Sequence, residues 1–344
     1  LGVVKNPGEG ARRVLVIKLS ALGDFVLALG AMRAIRETHP KAILTLLTTP
    51  PYQELAKATG FFQHIETDGR PKGVKATREL LKRMKAARYD VIYDLQTSGR
   101  TANYFKALNL PFQTPPLWSG HAEDAAFLHS NPERGNMHSI DRLADQLIAA
   151  GIGPGSIKGK WPPMPDMSFV RRSQGEKPSL TPAYFGIKGP YALFIPGASE
   201  HRAAKRWPVE NYGGLAQEVA NCGVTPVIIG GKSESELAVE INRMEPRARN
   251  IVTRTNLFQI VALAEKAQFA VGNDTGPMHM AALSGCPGVA LFATSESDPL
   301  KAAPRGSQVI ICEAETLDQL SVRDVWQAVR MLGAIPAQAA GNES

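Results

Sequence analysis

Short apolar runs rich in β-branched residues alternate with longer stretches whose apolar residues recur every three or four positions, and this alternation runs through the chain twice. Residues 13–18, Arg-Val-Leu-Val-Ile-Lys, read as a strand, and Phe25, Leu29, Met32 and Ile35 then fall on one side of a helix spanning about 25–38. Residues 42–47 and 90–95 read as further strands, with helices near 52–59 and 75–87 between them. Around 151–190 the composition shifts toward Gly, Pro and Ser, as in Gly153-Pro154-Gly155 and Trp161-Pro162-Pro163-Met164-Pro165, the mark of a connector. After it the alternation restarts, with strands at 191–195, 225–229, 269–271 and 288–292 and helices near 209–221, 234–243 and 257–266. Strands alternating with helices in this way predict parallel sheets covered on both faces. The expected fold class is α/β: two Rossmann-like, doubly wound parallel-sheet domains facing a cleft, at 1–170 and 190–344, with the linker proper at 171–189.

Composition agrees with this picture and removes several function classes. The chain has 344 residues, 44% hydrophobic and 21% charged, enough for two domains each with a real core. No apolar run approaches the ~20 residues that cross a bilayer, and residues 1–11 lack the apolar stretch of a secretory signal, so a cytoplasmic location is expected. Cys222, Cys286 and Cys312 lie far apart without C-x-x-C spacing, which points to reduced thiols, not to a disulfide framework or zinc. His121, His129 and His138 lack any recognised zinc spacing, and there is no Gly-x-Ser-x-Gly elbow. Neither a metal site nor a cofactor is expected.

A net charge of +7 favours an anionic partner, and its distribution narrows the choice. Arg70, Lys72, Lys75, Arg78, Lys82, Arg83, Lys85 and Arg88 stand against a single acid, Glu79, while Val74, Leu80, Leu81 and Met84 share an apolar side. This is a basic amphipathic helix, read as a solvated outer helix, a surface leaning on anionic lipid headgroups, or a nucleic-acid surface. No aromatic interleaving supports the last, and a nucleic-acid partner is not expected.

In doubly wound sheets ligands gather at the carboxyl ends of strands, so the loops there are where chemistry is sought. The first, Lys18-Leu19-Ser20-Ala21-Leu22-Gly23-Asp24, places Asp24 at a helix entrance, where it serves as N-cap or base. The second runs from Pro196 to Pro208 through Ser199, Arg202, Lys205, Arg206 and Trp207, and its cations beside a helix start suit a pyrophosphate or form a solvated basic turn. After Ile229, Glu234 and Glu236 are carboxylates for ribose hydroxyls or simply favourable first-turn acids. The fourth, Gly272-Asn273-Asp274-Thr275-Gly276-Pro277-Met278-His279, reads as a strand end turning into a helix start that attracts an anion, or as an ordinary capped junction with Asp274 or Thr275 as the cap. No Asp-x-Asp pair is present to hold a divalent ion with a diphosphate, so cations and helix dipoles are expected to neutralise it.

Three of these stretches together resemble the ADP-heptose:lipopolysaccharide heptosyltransferases of glycosyltransferase family 9: Lys18-x-Ser20-Ala21-Leu22-Gly23-Asp24, Lys205-Arg206-Trp207-Pro208, and Gly272-Asn273-Asp274-Thr275-Gly276-Pro277-x-His279. The resemblance implies a GT-B fold, inverting transfer, and a nucleotide-diphosphate sugar donor held mainly by the C-terminal domain, with the N-terminal domain binding a lipid-linked saccharide acceptor. Carried over by position, Asp24 is the general base, Lys205 and the Asp274-Thr275-Gly276 backbone hold the pyrophosphate, and His279 lies beside them. Glu236 is the ribose candidate with Glu234 next, Ser199 is a hydroxyl contact to the donor, and Ser20 and Gly23 lie on the acceptor side. This chain departs from the family in carrying Ala198-Ser199 and a longer loop before Lys205, and the stretch 93–138 matches nothing by residue. Peripheral contact with the anionic cytoplasmic face of the inner membrane fits the basic helix. Two alternatives stand beside this reading: a GT-B-shaped nucleotide-sugar epimerase, and a non-catalytic nucleotide-sugar-binding protein.

Overall fold

A computed structural model describes residues 10–109, 115–198, 203–306 and 308–335, so Ser199 lies outside the described residues. The chain divides into two compact units, Leu1–Asp166 and Met167–Ser344.

In the first unit six parallel strands form one sheet: β1 (Arg13–Ile17), β2 (Ile43–Leu47), β3 (His64–Glu66), β4 (Val91–Asp94), β5 (Leu117–Gly120) and β6 (Phe127–Leu128), in the order β3-β2-β1-β4-β5-β6. β1 lies at the centre, Val14 facing Leu44 of β2 on one side and Val91 of β4 on the other. Helices cover both faces of such a sheet, so Val14, Leu15, Val16 and Ile17 are all buried and the strand reads as a continuous apolar run. Leu15, Ile17, Leu47, Ile92 and Trp118 belong to a core onto which Leu80 and Met84 pack.

The second unit repeats the plan with β7 (Tyr191–Ile195), β8 (Thr225–Ile228), β9 (Arg249–Asn250), β10 (Ala270–Asn273), β11 (Gly288–Ala293) and β12 (Val309–Ala314), in the order β12-β11-β10-β7-β8-β9. Counted from its own first strand, each sheet has the order 3-2-1-4-5-6. The order therefore reverses between β1 and β4 in one unit and between β7 and β10 in the other, and the crevice outside such a reversal is where doubly wound folds take ligands. Gly272 is required at the second reversal: a Cβ there would come within 2.6 Å of the Ile195 Cβ and 2.8 Å of its carbonyl oxygen.

Several elements differ from the sequence expectation. The helix expected over 25–38 is two, Leu22–Leu27 and Leu29–Thr38, meeting at Ala28. β3, β5, β6, β9 and β12 were not expected, nor were helices Gly99–Leu108, Ser139–Ala149 and Val322–Met331. The Pro-rich stretch after Asp166 carries a short helix, Phe169–Gln174, and two single turns, Pro178–Leu180 and Pro182–Phe185, anchored in the second unit by Arg171 to Glu265 and by Gln259 to the Ser179 carbonyl. Among the described residues no helix is long and apolar enough to cross a membrane.

Candidate active site

At the reversal point of the second sheet one buried amide fixes the strand ends. Asn273 Nδ2 donates to the carbonyls of Pro196 (2.8 Å) and Gly197 (3.1 Å), while its Oδ1 accepts from Tyr212 Oη (3.0 Å) and the Trp207 N–H (3.3 Å). Both ends of the loop bearing Lys205 are thereby tied to β10. Trp207 is buried edge-on against Tyr212 and donates its indole N–H to the Leu320 carbonyl, so its position in the motif is one of packing.

Next along the chain, the Asp274 carboxylate meets two donors and a histidine ring. Lys205 Nζ donates to Oδ2 at 2.6 Å, Ser297 Oγ donates to the same oxygen at 2.8 Å, and His279 Nε2 stands 3.6 Å from Oδ1. Burial pushes the Asp274 pKa up, but hydrogen bonding and charge from His279 and Lys205 outweigh it and hold the carboxyl at about 2. The helix Gly276–Leu283 begins here with Pro277 in its first turn. Thr275 occupies the N-cap position without capping: its Oγ1 is buried and has no hydrogen-bond partner, and the same is true of His279 Nδ1. An uncapped helix start beside a compensated lysine favours an anion through the dipole and the exposed first N–H groups.

The two carboxylates after β8 are sorted by their surroundings. Glu234 is buried, its Oε2 accepting from the Gly231 N–H (2.8 Å) and its Oε1 from Ser233 Oγ (2.7 Å). A Cβ at Gly197 would lie 3.0 Å from the Glu234 carboxyl carbon, so this group sits against the loop leaving β7. Glu236 is exposed on the first turn of helix Ser235–Met244.

In the first unit the loop leaving β1 is held from several directions. Leu19 and Ser20 donate their backbone N–H groups to Gln96 Oε1 at 2.8 and 3.2 Å, Thr49 Oγ1 donates to the Leu19 carbonyl at 2.9 Å, and Arg70 donates to Ser20 Oγ. Asp24 is half-buried and lies third in helix Leu22–Leu27, not at its N-cap, which is Ala21. Its Oδ2 accepts the Ala21 N–H at 3.2 Å, the back-reaching half of a capping box. Gly23 lies in the same first turn. Beneath this loop Lys18 is buried and donates to the Leu95 carbonyl, and burial lowers its pKa against the opposing pull of Asp24. Asp94, also buried, is pushed up to about 6 by desolvation, although hydrogen bonds around Thr101, Thr97 and Gln96 and the charge of Lys18 oppose the shift.

Comparison with known proteins decides the family. Residues 77–325 match glycosyltransferase family 9 (heptosyltransferase). The chain belongs to glycosyltransferase family 9. It is 28% identical over 305 residues to lipopolysaccharide heptosyltransferase 2 of Salmonella typhimurium, covering 83% of this chain and 84% of that one. In structure it is similar to E. coli ADP-heptose lipopolysaccharide heptosyltransferase II (TM-score 0.71, 22% identity, 93% and 98% of the two chains). It is likewise similar to E. coli heptosyltransferase WaaC solved with ADP (TM-score 0.69, 18% identity, 93% and 99% of the two chains). These likenesses establish a GT-B fold, and family membership makes the chain a glycosyltransferase; the epimerase and binding-protein alternatives are not favoured.

Within this family-9 chain the structure brings Lys205, Asp274 and His279 into one cluster at the start of the Gly276 helix, and it gathers Ser20, Gly23 and Asp24 on the loop and first turn after β1. Glu236 is in neither group. Asn273, Ser297 and Gln96 hold these clusters and were not singled out from the sequence. Asn273 and Gln96 did carry a signal, being polar residues at or just beyond the carboxyl ends of the strands that flank each sheet reversal. Among the described residues no group of three or more His, Cys, Asp or Glu side chains is arranged to hold a metal ion.

Proposed function

We propose that this glycosyltransferase moves a heptose, with inversion, from ADP-heptose to the inner core of lipopolysaccharide. The observation that carries the reading is the Lys205–Asp274 pair beside the uncapped helix start at Thr275, since a cation and free helix N–H groups together suit a diphosphate leaving group. The names of the similar proteins, lipopolysaccharide heptosyltransferase 2 and a heptosyltransferase solved with ADP, support the same donor and acceptor.

In this reading Asp24 accepts the proton of the acceptor hydroxyl as that oxygen attacks the anomeric carbon from the face opposite the diphosphate. The new C–O bond forms as the bond to the diphosphate breaks, and ADP leaves with the electron pair. A carboxylate is weakly basic, so the proton moves late and positioning supplies much of the rate. Lys205 and the backbone of Asp274, Thr275 and Gly276 meet the growing charge, each well-aimed donor contributing about 3 kcal/mol. His279 flanks them, Ser199 adds a hydroxyl to the donor, and Ser20 and Gly23 shape the acceptor side. For the ribose, the buried Glu234 against Gly197 fits better than the exposed Glu236.

The acceptor in this reading is lipid-linked, which places the enzyme at the cytoplasmic face of the inner membrane. Helix Gly73–Ala86 supports that location through the exposed Lys75, Arg78 and Lys82. The deciding experiment is Asp24→Asn. Transfer should fall by about 10²–10⁴-fold while ADP binds as before; a fully active variant would sink the assignment of the base.

A further inference from the structure

We infer that Gln96 is a positioning residue for the transfer, holding the loop that presents Asp24. The inference rests on Asp24 being the base. β1 and β4 flank the reversal of the first sheet, and their trailing loops are joined by this side chain and by Lys18 Nζ to the Leu95 carbonyl. Gln96 Oε1 accepts two consecutive backbone N–H groups, Leu19 at 2.8 Å and Ser20 at 3.2 Å. At the very next residue the Ala21 N–H reaches the Asp24 carboxylate, so the path from Gln96 to the base is one short stretch of backbone.

Gln96 is itself anchored. Its own N–H and that of Thr97 donate to Oδ1 of the buried Asp94 at 3.1 and 2.9 Å, and the intervening Leu95 carbonyl accepts from Lys18 Nζ. Thr97 adopts a positive φ of 45°, a conformation that such surrounding bonds must hold in place. The loop after β4 is thus a fixed support and the loop after β1 is what it supports. No described residue partners Gln96 Nε2, so replacing that nitrogen by oxygen removes no bond, whereas truncating the side chain removes both acceptors.

The test compares Gln96→Ala with Gln96→Glu in transfer kinetics, ADP calorimetry and amide exchange at Leu19 and Ser20. Gln96→Ala should speed exchange at both amides and lower kcat about 10–100-fold, the scale of a misplacement near one ångström, while ADP affinity and donor KM stay within about twofold. Gln96→Glu, which keeps an acceptor oxygen, should restore most of kcat. Unchanged kcat in Gln96→Ala, or a loss shared equally by ADP affinity and not relieved by Gln96→Glu, would overturn the inference. Asp24→Asn in the same assay separates the two claims: a fully active Asp24→Asn ends the base assignment, whereas a dead Asp24→Asn beside an intact Gln96→Ala ends only the role of Gln96.

Discussion

Lys205 Nζ and Asp274 Oδ2 stand 2.6 Å apart on loops that leave two adjacent strands, β7 and β10, of the same sheet. Both side chains are about nine-tenths buried, so each charge is largely withdrawn from water and compensated by the other. Ser297 shares the acceptor oxygen and His279 flanks the second one. Oδ2 thus accepts from two donors, and in the proposed function the carboxylate aims Lys205, whose remaining ammonium hydrogens meet the diphosphate.

Against the desolvation that raises it, His279 and then Lys205 lower the Asp274 pKa, which gives stability a defined pH dependence. The folded state holds Asp274 at about 2, below the ordinary 3.8, so the contribution is complete above about pH 4 and is lost as the pH falls through about 2. A displacement of this size corresponds to about 2 kcal/mol at neutral pH. Asp274→Asn should lose about that much at pH 7 in denaturant unfolding, and the gap to the unaltered protein should hold down to about pH 4 and narrow below it toward pH 2. A constant gap across that range would show that the charge is not what stabilises.

Removing Lys205 alone should harm ADP binding twice over, through loss of the cation and through exposure of an unpaired carboxylate to the diphosphate. Calorimetry should show Lys205→Ala weakened by about 2–3 kcal/mol, the range of a hydrogen bond to a charged group. The double variant Lys205→Ala/Asp274→Asn should recover part of that loss, since the repulsive group is gone. Strict additivity of the two changes would mean that the pair does not act as a unit at the nucleotide.

Sequence periodicity was sufficient for the long central strands and for the α/β class, because β1 and β7 are buried on both faces and read as unbroken apolar runs. It failed at β6 and β9, which are two residues each and too short for any period to show. Helix Val322–Met331 was legible in principle: Ser321 and Asp324 cap each other across the Ser-x-x-Asp spacing that marks a helix start. The cluster around Asp274 was half legible. Gly272 to His279 was readable as a strand turning into a helix, yet Ser297 reaches Asp274 from a loop 23 residues away, a distance that no local pattern encodes. Gly272 itself was read with the ligand-facing loop, whereas its service is steric, giving room for Ile195 on the neighbouring strand.

The ribose assignment turns on which acid faces the loop after β7. Glu234 is buried against Gly197 and Gly230, and Glu236 is exposed two residues along. Glu234→Gln should weaken ADP about tenfold, because a charged acceptor for ribose hydroxyls becomes neutral, while 2′,3′-dideoxy-ADP should be affected much less. Glu236→Gln should change neither affinity beyond about twofold. The reverse ranking would return the role to Glu236.

The basic helix Gly73–Ala86 offers a membrane little beyond its charges. Leu80 and Met84, the centre of its apolar side, are spent in the core of the first unit with Leu81 packed beside them, so that of this side only Val74, at the N-terminal end, is exposed. Arg83 is engaged with Asp68 and, more distantly, Glu66, and its cation is largely compensated. Lys75, Arg78 and Lys82 remain exposed, each contributing about 1 kcal/mol near an anionic surface. Reversing these three to glutamate should lower partition onto vesicles containing anionic phospholipid by at least about 100-fold at low salt, with little binding to neutral phosphatidylcholine before or after. Raising the salt should erase the difference, because purely electrostatic attraction at a surface is screened within a Debye length. Salt-resistant binding would instead require buried apolar contact, for which this side offers only Val74, and unchanged partition of the triple variant would remove the helix from the membrane reading altogether.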